Sequence, residues 1–481
     1  MGNYKNQSIC VLKFFLLSYF FFLINNTANL AQQEIHKRLN PDIFKPRVII
    51  LTDVSTWETD DSESLVRLLV HADLLEIEGI IYTTGWSLDE VRDEFFQLIH
   101  DAIDAYEKDL PNLMKRSGQE TFLKDESRQT VGYWPSADYL RQRTMFGSRK
   151  RGIDQIGKEN TSDGSNWIIK QADEEDERPL WILVWGGGNT LAQAVWQVQQ
   201  ERNEDELKAF LHKIPTYAIT DQDRSYKKGT PYDISSHQWL RRDFEKDLIF
   251  LWDECAWKYQ NGTGRGNWEE YARHIQGHGH LGIVYPKYKY GVEGDTPSFL
   301  HVLPNGLNDP MVPNQVSWGG FFTWGIGPDN ETYAYVNHKG TSHEICSKYE
   351  AYFYPATFNN FAARMDWAEN GKGNRNPIVI VNGDRGFKPL EIEAQCNQRI
   401  VLDASQSIDP ENNNLSFNWW VLPEAGTFNQ KITIPNPHST KTYVIIPPEA
   451  KGKTIHIICE VTDNGEPNLT SYKRIIIKSK S

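Results

Sequence analysis

The chain has 481 residues, enough for two or three domains with a large hydrophobic core. Its formal net charge of −13 argues against nucleic acid as a partner, because phosphate contacts need clustered Lys and Arg. Aromatic residues are abundant, with 16 Trp and 21 Tyr, which suits contact with the C–H faces of sugars, although core packing accounts for any single Trp as readily.

The N-terminus has the pattern of a secretory signal. An apolar run at residues 14–24 follows Lys5 and Lys13, and Ala31 closes a short polar stretch. The run is short for a bilayer span. We therefore predict a signal peptide at residues 1–31, a mature protein that is exported to the periplasm or secreted, and no membrane partner.

Strands and helices alternate from residue 47 to about residue 247. Apolar runs predict buried strands, and apolar positions at helical spacing predict helices between them. This alternation predicts an α/β domain with a mostly parallel, doubly wound sheet. The predicted strands are 47–51, 77–82, 180–185, 216–220 and 248–252, and the predicted helices are 62–71, 90–106 and 191–199.

An acidic turn follows the first predicted strand. Asp53, Glu58, Asp60 and Asp61 lie within nine residues. Four carboxylates at the end of a strand repel one another unless a cation or a polyol lies between them. The turn is therefore a candidate ligand site, and a merely solvated turn is the alternative.

Two further polar turns follow predicted strands. The first is the glycine turn at residues 185–190, with Asn189, whose backbone amides could face a ligand. The second carries Asp221 and Asp223. Because the carboxyl ends of parallel strands share one edge, these turns are predicted to meet the acidic turn there, with Asn189, Asp221 and Asp223 as substrate-binding residues.

A long irregular segment at residues 285–320 is dense in Gly, Pro, aromatic and acidic residues, as binding loops often are. A polar surface loop is the alternative. The segment supplies further candidate substrate-binding residues, namely Glu293, Asp295, Asn308 and Trp318.

The last 105 or so residues change character. Short apolar runs alternate with turn residues and predict a small β-sandwich at 374–481, after a domain at 32–373. Cys396 and Cys459 could form a disulfide within it in an oxidising compartment, and free buried thiols are the alternative.

These motifs resemble a known family. The acidic turn, the sequence GGGNTLA at 186–192 and Asn308-Asp309-Pro310 resemble the nucleoside hydrolase fold. More closely, DDSESLVRLL, PLWILVWGGGNTLAQA, GDTPSFL, PNGLNDP and LDASQSIDP resemble the cellulose-binding, nucleoside-hydrolase-like family, whose C-terminal domain is immunoglobulin- or PKD-like. The resemblance implies that Asp53, Asp61 and Asp309 hold a cation, with calcium the expected ion, and that Asp60 or Asp61 activates water.

One position departs from the hydrolase pattern. Asn308 stands where those enzymes have a histidine that protonates the leaving group, and an amide cannot do this. His278 and His280, in the glycine-rich sequence QGHGHLG, are the preferred replacements and are predicted to be catalytic. His237, His301, Tyr285 and Tyr290 remain open as alternatives, and Lys287, Lys289 and Arg224 could bind an acidic sugar.

The sequence therefore predicts a secreted, carbohydrate-active enzyme whose partner is an oligosaccharide or polysaccharide. Metal-assisted glycoside hydrolysis is the first expectation. A lyase or dehydratase that converts a uronate-terminated oligosaccharide to an unsaturated sugar is the second, and a non-catalytic polysaccharide-binding protein is the third.

Overall fold

A computed structural model describes residues 43–86, 88–225 and 229–480. The predicted signal peptide lies outside these ranges. Phe44–Ser481 forms one compact unit, so the predicted boundary between residues 373 and 374 is untested. Within the described ranges, none of the helices has the length and apolar character that crossing a membrane requires.

The main sheet has eight strands in the order β3-β2-β1-β4-β5-β6-β8-β7. All neighbours pair in parallel except β7 and β8, which are antiparallel. The mostly parallel α/β sheet predicted from the sequence is thus confirmed. Its strands are β1 Arg47–Thr52, β2 Glu76–Tyr82, β3 Thr144–Phe146, β4 Leu180–Val184, β5 Thr216–Ile219, β6 Phe250–Asp253, β7 Thr323–Ile326 and β8 Tyr333–Val336.

Helices cover both faces of this sheet. Along β1, Val48 and Ile50 lie in one hydrophobic core, whereas Ile49 and Leu51 lie in the other. A strand buried on both faces needs apolar residues at every position, which is why this strand was recognisable as a continuous apolar run. The helices are α1 Asp60–Leu69, α2 Asp93–Ser117, α3 Ala137–Gln142, α4 Asp163–Ala172, α5 Asn189–Glu201, α6 Glu204–Lys213, α7 Ser236–Asp243, α8 Ala256–Gly266, α9 Trp268–His274, α10 Gly279–Val284, α11 Thr296–Val302 and α12 Gly340–Asn370.

The 31-residue helix α12 was not predicted from the sequence. Pro355 lies inside it, and its many aromatic residues weaken the helical signal. Its buried side chains, such as Phe353 and Phe361, pack in the main hydrophobic core. Tertiary packing therefore stabilises a helix that local preferences do not indicate.

The C-terminal region is all β. One sheet has the order β11-β13-β14-β9, with β14 and β9 parallel, and a separate antiparallel pair joins β10 and β12. The predicted run 378–381 forms only isolated bridges, and the run 391–402 is two strands separated by a turn at Asn397, whose φ is 63°. The strands are β9 Leu390–Ala394, β10 Arg399–Asp403, β11 Leu415–Val421, β12 Lys441–Ile445, β13 Thr454–Asp463 and β14 Thr470–Ser479.

The disulfide considered for the sandwich does not form. Cys459 is buried in the sandwich core, whereas the Cys396 sulfur lies 3.6 Å from the carbonyl oxygen of Pro448. Both side chains are free thiols, as are Cys255 and Cys346.

The sandwich is joined to the first domain by backbone hydrogen bonds. The Tyr472 amide donates to the Asn305 carbonyl at 3.2 Å, and the Arg474 amide donates to the Gly306 carbonyl at 2.9 Å. Because Tyr472 and Arg474 belong to β14, the loop after α11 packs against the sandwich. The Trp318 indole extends this contact by donating to the Tyr472 hydroxyl at 3.3 Å.

Candidate active site

The acidic turn lies at the point where the strand order reverses. The order 3-2-1-4-5-6 changes direction between β1 and β4, and ligands of such sheets bind beyond the carboxyl ends of these strands. Asp53 follows β1 and is buried between Gly85 and Gly186. A Cβ atom on Gly85 would lie 2.2 Å from Asp53 Oδ2, and one on Gly186 would lie 2.7 Å from Oδ1. Both glycines are therefore needed for this carboxylate to fit.

Three carboxylates converge beside Asp53. Asp60 and Asp61 open α1, and Asp295 is the N-cap residue of α11. One oxygen from each of the three lies within 4.8 Å of the others. The positive ends of two helices favour negative charge at this place. We refer to Asp60, Asp61 and Asp295 as the rim cluster.

The hydrogen bonds of the rim cluster are incomplete. The Thr52 hydroxyl donates to Asp61 Oδ1. In contrast, Asp60 Oδ1 and Asp295 Oδ2 are buried, and within the described part of the chain neither has a hydrogen-bond partner. A buried carboxylate oxygen without a partner is costly, so these atoms are suited to a ligand that supplies positive charge or hydroxyl donors.

Burial and mutual repulsion raise the pKa values throughout this region. Burial, followed by the negative charge of Asp53, raises the pKa of Asp60 to about 7. Burial, followed by repulsion from Asp60 and Asp53, raises the pKa of Glu58 to about 9. The pKa values of Asp61 and Asp295 are raised well above the usual range, again by burial and neighbouring carboxylates. The charged forms of these carboxyl groups are therefore disfavoured by burial and by repulsion from one another.

The donor set fits a hard divalent cation. It consists of carboxylate oxygens, two of them without partners, and oxygen donors are what Ca²⁺ and Mg²⁺ prefer. Asp60, Asp61 and Asp295 would hold such an ion, with Asp53 adjacent. Asp309 is not part of the rim cluster, so the metal-ligand role predicted for it passes to Asp295.

Two tryptophans stand beside the rim cluster. Trp86 follows Gly85, and its ring meets that of Trp257 edge-on, with centroids 6.0 Å apart. Trp257 and Asn261 are four residues apart on α8 and share one face, and Asn261 hydrogen-bonds Asp60. Both indole N–H groups are buried and have no hydrogen-bond partner among the residues that the structure describes. We call Trp86 and Trp257 the tryptophan pair.

The glycine turn does not present its amides to a ligand. The Gly186 amide donates to Leu51 O at 3.1 Å and the Gly187 amide to Thr84 O at 2.6 Å. The Gly188 amide donates to Asp223 Oδ1 at 2.9 Å. The glycines are required for close packing rather than for donating to substrate, which corrects the prediction.

Asn189, Asp221 and Asp223 bond within the protein. The Asn189 amide accepts from Gly152 N at 2.8 Å and donates to Gly152 O at 2.7 Å. Asp221 accepts from the Ser235 hydroxyl at 2.7 Å, and Asp223 accepts from the Ser236 amide at 2.9 Å. These side chains fix loops and the start of α7, so the predicted substrate-binding role is corrected to a structural one.

Glu293 is also structural. It forms a buried ion pair with Arg67 at 2.6 Å and accepts from the Tyr285 hydroxyl at 2.8 Å. Its pKa is nevertheless raised by burial. Both Glu293 carboxylate oxygens accept these hydrogen bonds, so neither is free to bind substrate.

Asn308, Asp309 and Trp318 lie at the other end of α11. Asn308 Nδ2 donates to the carbonyl of His301, near the helix C-terminus, whereas Asp295 caps its N-terminus. A seven-residue helix separates these ends by about 10 Å. The Asp309 amide bonds Gln315, and Trp318 contacts the sandwich. The predicted site roles of all three are therefore corrected.

The two preferred histidines are also elsewhere. His278 Nδ1 faces Asp366 on α12, and His280 Nδ1 lies 2.8 Å from Asp109 on α2. Neither is among the largest causes of the raised pKa values in the rim cluster. The predicted catalytic roles of His278 and His280 are thus corrected to contacts between helices.

Sequence reasoning missed Asn261, Trp86 and Trp257, and it left Glu58 without a role. Trp257 could have been found, because it follows the predicted strand at 248–252 and that strand belongs to the same sheet. Asn261 gave no local signal, since only the packing of α8 brings it to Asp60.

Comparisons with known proteins agree with this architecture. Residues 47–322 match the model of the family described as "Cellulose-binding Sde182, nucleoside hydrolase-like domain", and residues 399–479 match "Cellulose-binding protein Sde0182, C-terminal domain". No curated protein matched.

Among solved structures, the chain is similar to a nucleoside hydrolase-related hypothetical protein from Saccharophagus degradans that is associated with carbohydrate metabolism. Sequence identity is 34% and the TM-score is 0.78, and the match covers 91% of this chain and 100% of the other. The type III effector XopQ complexed with adenosine diphosphate ribose matches at 10% identity, with coverage of 71% of this chain and 99% of the other and a TM-score of 0.32.

Proposed function

We propose a saccharide-processing function from one premise: the chain belongs to the cellulose-binding Sde182 family, with a nucleoside-hydrolase-like domain followed by the family's C-terminal domain. The family places the protein among carbohydrate-associated, polysaccharide-binding proteins. Our proposal adds that the rim cluster acts on a sugar and that the protein is exported to reach it.

The observation that carries the proposal is the rim cluster beside the tryptophan pair. A sugar ring has apolar C–H faces and a polar edge of hydroxyl groups. The faces of Trp86 and Trp257 suit the first, and the unpartnered oxygens of Asp60 and Asp295 suit the second. Each indole N–H could also donate to a sugar oxygen.

The rim cluster is proposed to hold a divalent cation, for which calcium is the first choice. When bound, such an ion would supply positive charge that orients sugar hydroxyls. The protein residues would do the remaining work: Asp61 is oriented by the Thr52 hydroxyl, and Asp60 is kept close by Asn261. Gly294 permits this packing, because a Cβ there would lie 2.6 Å from Asp60 Oδ2.

The first candidate reaction is hydrolysis of a C–O bond at the sugar. Asp60 would take a proton from water as the water oxygen bonds to the sugar carbon. Glu58 would give a proton to the departing oxygen as the C–O bond breaks. The separation of their pKa values, about 7 and about 9, is the kind that assigns a base and an acid.

Elimination from a terminal uronate is the second candidate. A rim carboxylate would remove the proton next to the sugar carboxylate, and the C–O bond one carbon away would break to leave a double bond. The departing oxygen would take the C–O bonding electrons and a proton, and so leave as a hydroxyl group. Lys289 favours an acidic sugar: its amide bonds Thr59 at 3.0 Å and its ammonium group donates to the Thr56 carbonyl, next to the acidic turn. Arg224 is less suited, because it stacks on Tyr232.

One assay separates the candidates. The purified chain is incubated with neutral and uronate-terminated oligosaccharides, with calcium or chelator. New reducing ends without ultraviolet absorbance support hydrolysis, the absorbance of an unsaturated uronate supports elimination, and binding without turnover leaves a polysaccharide-binding protein. Asp60→Asn should abolish turnover, and the exposed Asp205→Asn should not. Turnover unchanged in Asp60→Asn would reject the site.

A further inference from the structure

A second group of metal-ligating side chains lies away from the rim. His278 precedes α10, and Asp366 and Glu369 lie near the end of α12. His278 Nδ1 is 3.2 Å from Asp366 Oδ1 and 3.5 Å from Glu369 Oε2. One ligand atom from each of the three residues lies within 4.8 Å of the others. We call these residues the helix-junction triad.

The orientation of the His278 ring decides what Nδ1 can do. The other ring nitrogen, Nε2, lies 2.9 Å from the carbonyl oxygen of Arg273. A carbonyl oxygen only accepts hydrogen bonds, so Nε2 carries the hydrogen. In the neutral imidazole, Nδ1 is then a lone pair that faces two carboxylates. Three groups of electron-rich atoms therefore meet at one point, which suits a bound cation.

The distances fit a tetrahedral metal ion. Zinc lies about 2.0–2.1 Å from nitrogen and about 2.0–2.2 Å from carboxylate oxygen, which places adjacent ligand atoms about 3.3–3.5 Å apart in a tetrahedron. The observed separations of 3.2 and 3.5 Å agree with this spacing. A metal-bound histidine also commonly donates its other N–H to a backbone carbonyl, as His278 does to Arg273.

The triad is open to solvent, and two of its three residues lie on one helix. The side chains of His278, Asp366 and Glu369 are 23%, 34% and 46% exposed, so an ion has access. Asp366 and Glu369 are three residues apart on one helix and share a face. The pKa of Asp366 is raised by burial despite the opposing effect of His278.

We propose that the helix-junction triad is a binding site for Zn²⁺ or a similar first-row transition ion, with water as the remaining ligand. The ion would fasten the start of α10 to the end of α12, just before the chain enters the sandwich. The mixed nitrogen and oxygen donors distinguish it from the oxygen-only rim cluster, which favours calcium or magnesium. The proposal holds whether or not the rim cluster is catalytic.

The test uses metal retention by the full chain. The protein is stripped with chelator, saturated with Ca²⁺ to occupy the rim cluster, mixed with Zn²⁺, desalted and analysed for metal. We expect one zinc per chain, a higher melting temperature with zinc, and visible absorption typical of tetrahedral Co²⁺ when cobalt replaces zinc. His278→Ala and Glu369→Gln should each weaken zinc binding at least ten-fold.

The matched control is His212→Ala, because His212 is exposed and pairs with one carboxylate, Asp247, at 3.4 Å. It should retain zinc as the wild type does. Glu369→Gln keeps the test decisive if His278→Ala does not fold. A wild-type chain that retains no zinc would show that these three residues do not bind the ion, and equal retention by Glu369→Gln would place the zinc elsewhere; either result overturns the proposal.

Discussion

The rim cluster should make the free energy of unfolding decrease as pH rises, and a bound cation should offset this decrease. The pKa of Asp60 is raised from its usual 3.8 to about 7. A difference of about 3 units corresponds to ~4 kcal/mol. Because the folded state holds the Asp60 proton more tightly than the unfolded state, the free energy of unfolding falls as pH rises from about 4 to about 7.

Asp60→Asn removes this dependence. With chelator present, we expect the wild type to lose ~4 kcal/mol relative to Asp60→Asn between pH 4 and pH 8. Calcium should restore much of this loss at pH 8, since a ligand at 100 times its Kd stabilises the folded state by about 2.7 kcal/mol. Asp205→Asn, on an exposed first turn of α6, should behave as the wild type does.

Urea unfolding at several pH values, with chelator and with calcium, measures these differences. The reasoning fails if wild type and Asp60→Asn lose stability in parallel as pH rises. It also fails if calcium stabilises both proteins equally, because the cation would then bind without Asp60.

Three further predictions test the roles that the structure gives to individual residues. Trp257→Ala should weaken oligosaccharide binding by about 1–2 kcal/mol, measured by calorimetry, while Trp257→Phe retains most of it, because the ring face makes the contact; equal losses in both would argue against stacking. Asp309→Ala should leave calcium affinity unchanged in the same instrument, since Asp309 is remote from the rim, and a large loss would return it to the site. Glu293→Gln should cost about 3–5 kcal/mol in urea unfolding by leaving Arg67 buried without its counter-charge, and a neutral result would show that the pair relaxes.

The main sheet could be predicted because its strands are buried on both faces. A short, continuous apolar run such as residues 48–51, bounded by turn residues, is typical of a buried parallel strand, so the strand positions and the acidic turn after β1 could be predicted together. The same logic failed for α12, in which Pro355 interrupts the local pattern and packing against the core supplies the stability.

The site was predictable only in part. Asp53, Asp60 and Asp61 are close in sequence, and strand geometry alone brings them to the rim. Sequence spacing could not show whether Asp295 or Asp309 joins these carboxylates, because each lies within two residues of a proline. Only Asp295 is the N-cap residue of a helix whose N-terminus points at the rim cluster. Glycines flanked His278 and His280 for a structural reason, since Gly277 and Gly279 have φ values of 80° and 67°.

The attachment of the sandwich limits how far it can move relative to the rim cluster. Binding modules on flexible tethers gain reach with tether length. Here β14 is hydrogen-bonded to residues 305 and 306, and Asn374 in the connecting segment donates a hydrogen bond to Asp463 at 2.8 Å. Any ligand that contacted both the sandwich and the rim cluster would therefore span a constant distance, and inserting residues near 371–376 would not increase that distance.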